Sequence, residues 1–174
     1  MAADPLEILF GSQARVKLLR FFLFNPSSEF TFDDMSRRAR LVRRTARTEI
    51  NALERAGVIK KKTIYIDQGE GKKKTKALGY ALNKNFPELQ ALQTFLFETA
   101  PIDGKTLLKH LRKAGPLDFV GVAGVFVRQF EARLDVIVAM KKLSQKKVEA
   151  AIRSLESEIG IEIVKDIRAT EDGG

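Results

Sequence analysis

The apolar residues of this chain change their spacing abruptly at Gly57. Before it, Ala46, Ile50 and Leu53 recur at helical intervals over 42–56. After it, 58–67 and 76–82 are strand-length runs, and the turn between them at 68–75 holds Gly69 and Gly71. Gly57 is a helix terminator. A helix that stops this sharply before a hairpin fixes the element order helix, strand, turn, strand over 42–82.

The segments upstream supply the partners. Leu6, Leu9, Phe10, Val16, Leu18, Leu19, Phe22 and Leu23 predict a helical apolar face, restarted at Ser12 after Gly11 and stopped by Asn25 and Pro26. A brief strand at 29–31 leads into a helix with Thr31 as cap, Asp34 three residues on, and Phe30 and Met35 at the staple positions. That helix ends near Ala39. Pro87 suits the first turn of another helix, with Leu89, Leu92, Phe95 and Leu96 inside.

Charge is concentrated in the same region. Residues 31–76 contain 14 Lys or Arg and 6 Asp or Glu, against a net charge of +9 for all 174 residues. Residues 1–98 carry 18 basic and 11 acidic side chains and residues 99–174 carry 13 and 11, so affinity for anions belongs to the first part. The outer face of helix 42–56 presents Arg43, Arg44, Arg47, Thr48 and Asn51.

Composition narrows the classes. The chain has no cysteine and one histidine, His110, which excludes a disulfide framework, a thiolate metal site and a histidine cluster. No cofactor or metal is expected. The first ten residues do not resemble a signal peptide and no apolar run reaches membrane-spanning length, so a cytoplasmic protein is expected.

A boundary is expected at 99–101. Beyond it Asp103 caps a short helix, 117–127 and 134–140 are expected as buried strands, Ser144 opens a helix ending at Gly160, and 161–164 is expected as a third strand. His110 is expected on or beside a helix surface. Tyr65 and Tyr80 are expected to pair across the hairpin or to face its core.

The order helix, helix, turn, helix, strand, basic glycine loop, strand, with the run Arg43-Arg44-Thr45-Ala46-Arg47 to Leu53-Glu54-Arg55-Ala56-Gly57-Val58-Ile59, resembles a winged helix-turn-helix DNA-binding domain. The resemblance implies base-edge contacts from Arg44, Arg47, Thr48 and Asn51 in the major groove of double-stranded DNA, with Arg37, Arg38 and Arg43 on phosphates. It implies a wing carrying Lys72, Lys73, Lys74 and Lys76. Arg40 and Val42 depart from the pattern, standing where such domains often place Gly and a Ser or Thr cap. RNA is the less favoured target, because no aromatic platform on an exposed sheet is evident.

From Phe119 onward, Val125-Phe126, Leu134-Asp135-Val136-Ile137-Val138, 145–160 and 161–164 resemble the core of a minimal nucleotidyltransferase. Active members need a Gly-Ser pair and two strand carboxylates for Mg²⁺. Here Val127 and Arg128 stand at the Gly-Ser positions and Arg133 at the first carboxylate, leaving Asp135, with Glu162 as a stand-in on the last strand. The resemblance thus implies a non-catalytic domain for dimerisation or for an unknown small ligand or protein partner. Gly11-Ser12 matches the Gly-Ser signature, and 69–75 has the residue types but not the spacing of a phosphate-binding P-loop; they are read as a helix-entry turn and a hairpin loop.

The fold class expected is α+β, a winged helix-turn-helix over 1–98 followed by a small nucleotidyltransferase-like α/β domain over 99–174. The function expected is a homodimeric transcriptional regulator. Its rivals are a nucleotidyltransferase brought to nucleic acid by its basic domain and an antitoxin-like protein-protein adaptor.

Overall fold

The computed structural model describes residues 4–170 and shows a mixed α+β chain. The described residues contain seven α-helices, two short 3-10 turns and two three-stranded sheets. They divide into two compact units, one up to Thr99 and one from Ala100.

In the first unit the first three helix starts are made by side-chain caps. Asp4 accepts from Leu6 N at 2.9 Å ahead of α1 (Pro5–Leu9), and Ser12 Oγ accepts from Arg15 N at 3.1 Å ahead of α2 (Gln13–Leu23). After β1 (Glu29–Thr31), Thr31 Oγ1 accepts from Asp34 N at 3.1 Å and opens α3 (Phe32–Arg38), with Phe30 and Met35 buried beside it. α4 spans Arg43–Arg55, and its Ala46, Ile50 and Leu53 are buried.

Two Schellman closures bracket α4. At the end of α4, Gly57 N donates to Glu54 O and Val58 N to Leu53 O. At the end of α3, Arg40 N donates to Arg37 O and Leu41 N to Ser36 O, so Arg40 takes the left-handed conformation, φ 52°, usually left to glycine. That placement costs about 1–2 kcal/mol, and packing of Leu41 against the core opposes it.

β2 (Ile59–Ile66) and β3 (Thr75–Leu82) pair antiparallel over eight positions, and β1 adds to the far edge of β3, giving the order β1-β3-β2. Gly79 in the central strand is required by packing, since a Cβ there would lie 2.6 Å from Ile64. Tyr80 is buried opposite Phe30 and Lys61, whereas Tyr65 is exposed opposite Lys76. The two tyrosines do not pair, and only Tyr80 faces the core. α5 (Leu89–Glu98) starts two residues after Pro87, and its Leu89, Leu92 and Leu96 pack on this unit's core. The apolar stripe of α5 is therefore mostly occupied within its own unit, and Phe95, expected inside, is left half-exposed.

The second unit packs α6 (Gly104–Leu111) and α7 (Gln145–Ile159) on a sheet ordered β4-β5-β6. β4 is Phe119–Val122, antiparallel to β5 (Val136–Met140), and β6 (Lys165–Ala169) is parallel to β5. Three expectations are corrected here. The strand expected over 117–127 is shorter and has exposed Phe119 and Val122, because a 3-10 turn at Gly124–Val127 takes over. The last strand lies after 161–164, which is irregular, so Glu162 is not a strand residue. His110 is buried between helices rather than surface-lying.

Candidate functional site

The outward face of α4 follows from its buried one. With Ala46, Ile50 and Leu53 turned inward, Arg43, Arg44, Arg47, Thr48 and Asn51 are all exposed. Of the two acidic residues of α4, Glu49 is buried and paired with Arg15 at 2.8 Å, and Glu54 is paired with Lys61 at 3.0 Å. The outward face consequently displays hydrogen-bond donors and positive charge.

These side chains are held to different degrees. Arg44 and Asn51 make no side-chain hydrogen bond or ion pair with any described residue. Thr48 donates its hydroxyl to Arg44 O at 3.2 Å. Arg47 is anchored: its guanidinium lies 3.8 Å above the Phe32 ring and Nη1 donates to Tyr80 Oη at 3.1 Å. Arg43 lies over the same ring at 5.1 Å and pairs with Asp33.

The two arginines of α3 also differ. Arg37 is exposed and pairs with Asp34 at 2.8 Å. Arg38 is half-buried, its guanidinium 4.9 Å from the Phe21 ring and 5.1 Å from the Phe30 ring. A cation above aromatic faces is stabilised there by about 0.5–2 kcal/mol. The sequence pattern displays these arginines without their partners; Phe32 directly after the Thr31 cap, followed by Asp33 and Asp34, is the signal from which the anchoring could have been read.

Lys72, Lys73, Lys74 and Lys76 are all exposed, on the loop between β2 and β3 and at the start of β3. The loop carries internal order: Asp67 Oδ1 accepts from Gly69 N at 3.0 Å and Lys72 N donates to Gly69 O at 3.2 Å. Gly69 and Gly71 have φ of 100° and 77°, values that favour glycine.

In the second unit the sequence-derived positions form a structural knot. Asp135 is buried; Oδ1 accepts from Val125 N at 2.9 Å and Oδ2 from Val164 N at 2.8 Å. Gly124, φ 51°, permits the approach, since a Cβ there would overlap that carboxylate. Val127 ends the 3-10 turn and Arg128 follows it at φ 60°. Arg133 and Glu162 are exposed. Among the described residues, no group of three or more Asp, Glu, His or Cys could hold a metal ion.

His110 Nε2 lies 3.4 Å from Glu158 Oε2, and its buried Nδ1 has no hydrogen-bond partner among the described residues. Burial lowers the imidazole pKa below its ordinary value, with Lys113 and Lys109 acting in the same sense and Glu158 partly opposing. No helix among the described residues is long and apolar enough to cross a membrane.

Compared with known protein families, curated proteins and solved structures, the chain matches none of them.

Proposed function

We propose that the first unit is a winged helix-turn-helix that reads double-stranded DNA, and that the protein acts as a homodimeric transcriptional regulator. The observation that carries the reading is the outward face of α4, where Arg44, Thr48 and Asn51 are exposed above a fully buried inner face. An α-helix fits the major groove, where Arg can contact guanine bidentately and Asn adenine. Arg44 and Asn51 supply those chemistries with nothing to release first.

Arg47 and Arg43 have a different part in this reading. Held on Phe32, they present charge at a fixed height beside the helix, which suits phosphate contacts and register. Arg37 joins them. Lys72, Lys73, Lys74 and Lys76 add point charges from an exposed loop, which suits backbone or minor-groove contact. In the second unit both carboxylate oxygens of Asp135 are engaged by main-chain N–H groups, so the reading gives this residue a structural role and the unit a dimerisation or docking role.

Fluorescence anisotropy with labelled duplex DNA from the region upstream of the coding sequence, against a scrambled duplex, tests the proposal at several salt concentrations. Expected is a preference for the upstream duplex and a steep, linear fall of log K with log salt. Binding indifferent to sequence would remove the regulator. Sedimentation equilibrium of the full chain tests the dimer, and a monomer at high micromolar concentration would sink it.

A further inference from the structure

The sheet of the first unit has a second basic surface, separate from the outward face of α4. Successive residues of a strand point to opposite faces, and Lys61 reaches Glu54 on α4 at 3.0 Å. Lys60 and Lys62 therefore stand on the face turned away from α4. There, with Lys84, they border a recess of about 400 Å³ between the turn after α2 and the segment after β3. Glu29 is the one carboxylate lining it and pairs with Lys62. Lys60 and Lys84 have no ion-pair partner among the described residues.

Unpaired like charges around a concavity repel one another, and low-dielectric walls focus their field on the space between them. Ala81 and Leu82 provide apolar lining, and Ser27 and Ser28 bring hydroxyls to the rim. The volume lies in the range of small-molecule sites. Lysine ammonium groups from β2 and from the segment after β3 match separate phosphate oxygens, each offering three donors. A duplex is too wide to enter such a recess.

We infer that this recess binds a small molecule bearing two or more phosphate groups, held by Lys60, Lys62 and Lys84, with Glu29 weakening the site by neutralising Lys62. The inference does not depend on the DNA reading, because it uses the other face of the sheet and different residues.

Isothermal titration of tripolyphosphate into the full chain tests it. Expected is saturable binding at one site per chain, weakened at least about tenfold in Lys60→Gln/Lys84→Gln and tightened several-fold, on the order of threefold, in Glu29→Gln. Lys73→Gln/Lys74→Gln in the hairpin loop should leave it unchanged. All four lysines are exposed, so these variants keep the fold. Absence of saturable binding at millimolar ligand, a loss that follows the loop variant, or no gain in Glu29→Gln would overturn the proposal. Displacement of tripolyphosphate by duplex DNA, dependent on Lys60 and Lys84, would also overturn it and make the recess part of a nucleic-acid surface.

Discussion

His110 and Asp135 are both buried in the second unit, and their polar atoms fare differently. Asp135 has both oxygens engaged, while His110 Nδ1 has no hydrogen-bond partner among the described residues. Since burial lowers the folded pKa of His110, the unfolded chain takes up a proton at a higher pH than the folded one. Stability contributed by the neutral imidazole is thus present above about pH 6.5 and lost as pH falls toward the lowered value. Urea denaturation at several pH values should show this acid-side decline in the wild type and a shallower one in His110→Leu. Equal slopes would exclude His110 as its source. On α4, Arg44→Ala and Arg47→Ala should separate. Each is expected to weaken DNA binding, Arg44→Ala by about 1–3 kcal/mol with relaxed base preference. Arg47→Ala alone should also lower the stability of the first unit, by about 1 kcal/mol, through loss of its contact with Phe32; a thermal melt distinguishes the two.

Among the elements, the β2–β3 hairpin offers the cleanest test of charge. Replacing Lys72, Lys73 and Lys74 by Gln should lower affinity for all duplexes alike and reduce the slope of log K against log salt by about 2–3. An unchanged slope would remove the loop from the interface. The elements of the first unit were legible where local chemistry decides them: the Thr31 cap, the Gly57 closure and the hairpin stand within a residue or two of their sequence positions. Arg40 shows the limit, because a Schellman closure without glycine is set by Leu41 packing inward and leaves no local mark. In the second unit 161–164 is apolar enough to imitate a strand, yet Asp135 takes the Val164 N–H with its side chain, and regular pairing starts only at Lys165. Gly124 similarly ends β4 early. For the candidate interface, the exposed positions could be read from helical periodicity, whereas the aromatic supports under Arg38, Arg43 and Arg47 arise from tertiary packing.

At the scale of the molecule, each unit encloses its own apolar core: Leu18, Phe22, Ile50 and Leu96 in the first, Leu107, Val138, Ile152 and Leu155 in the second. A fragment ending at Thr99 has the size of a small domain. It is expected to unfold cooperatively in urea and to keep the DNA preference of the full chain in anisotropy, with lower affinity where the second unit supplies the dimer contact. A fragment without a cooperative transition would show that the first core is insufficient alone. The Asp135 knot has a kinetic counterpart. Val125 lies in a single 3-10 turn and Val164 in irregular backbone, where amide protons ordinarily exchange with solvent through small local openings. Because one carboxylate clasps both, neither proton escapes until the clasp opens, and their deuterium uptake should keep pace with the slow amides of β5 rather than with those of the surrounding loops.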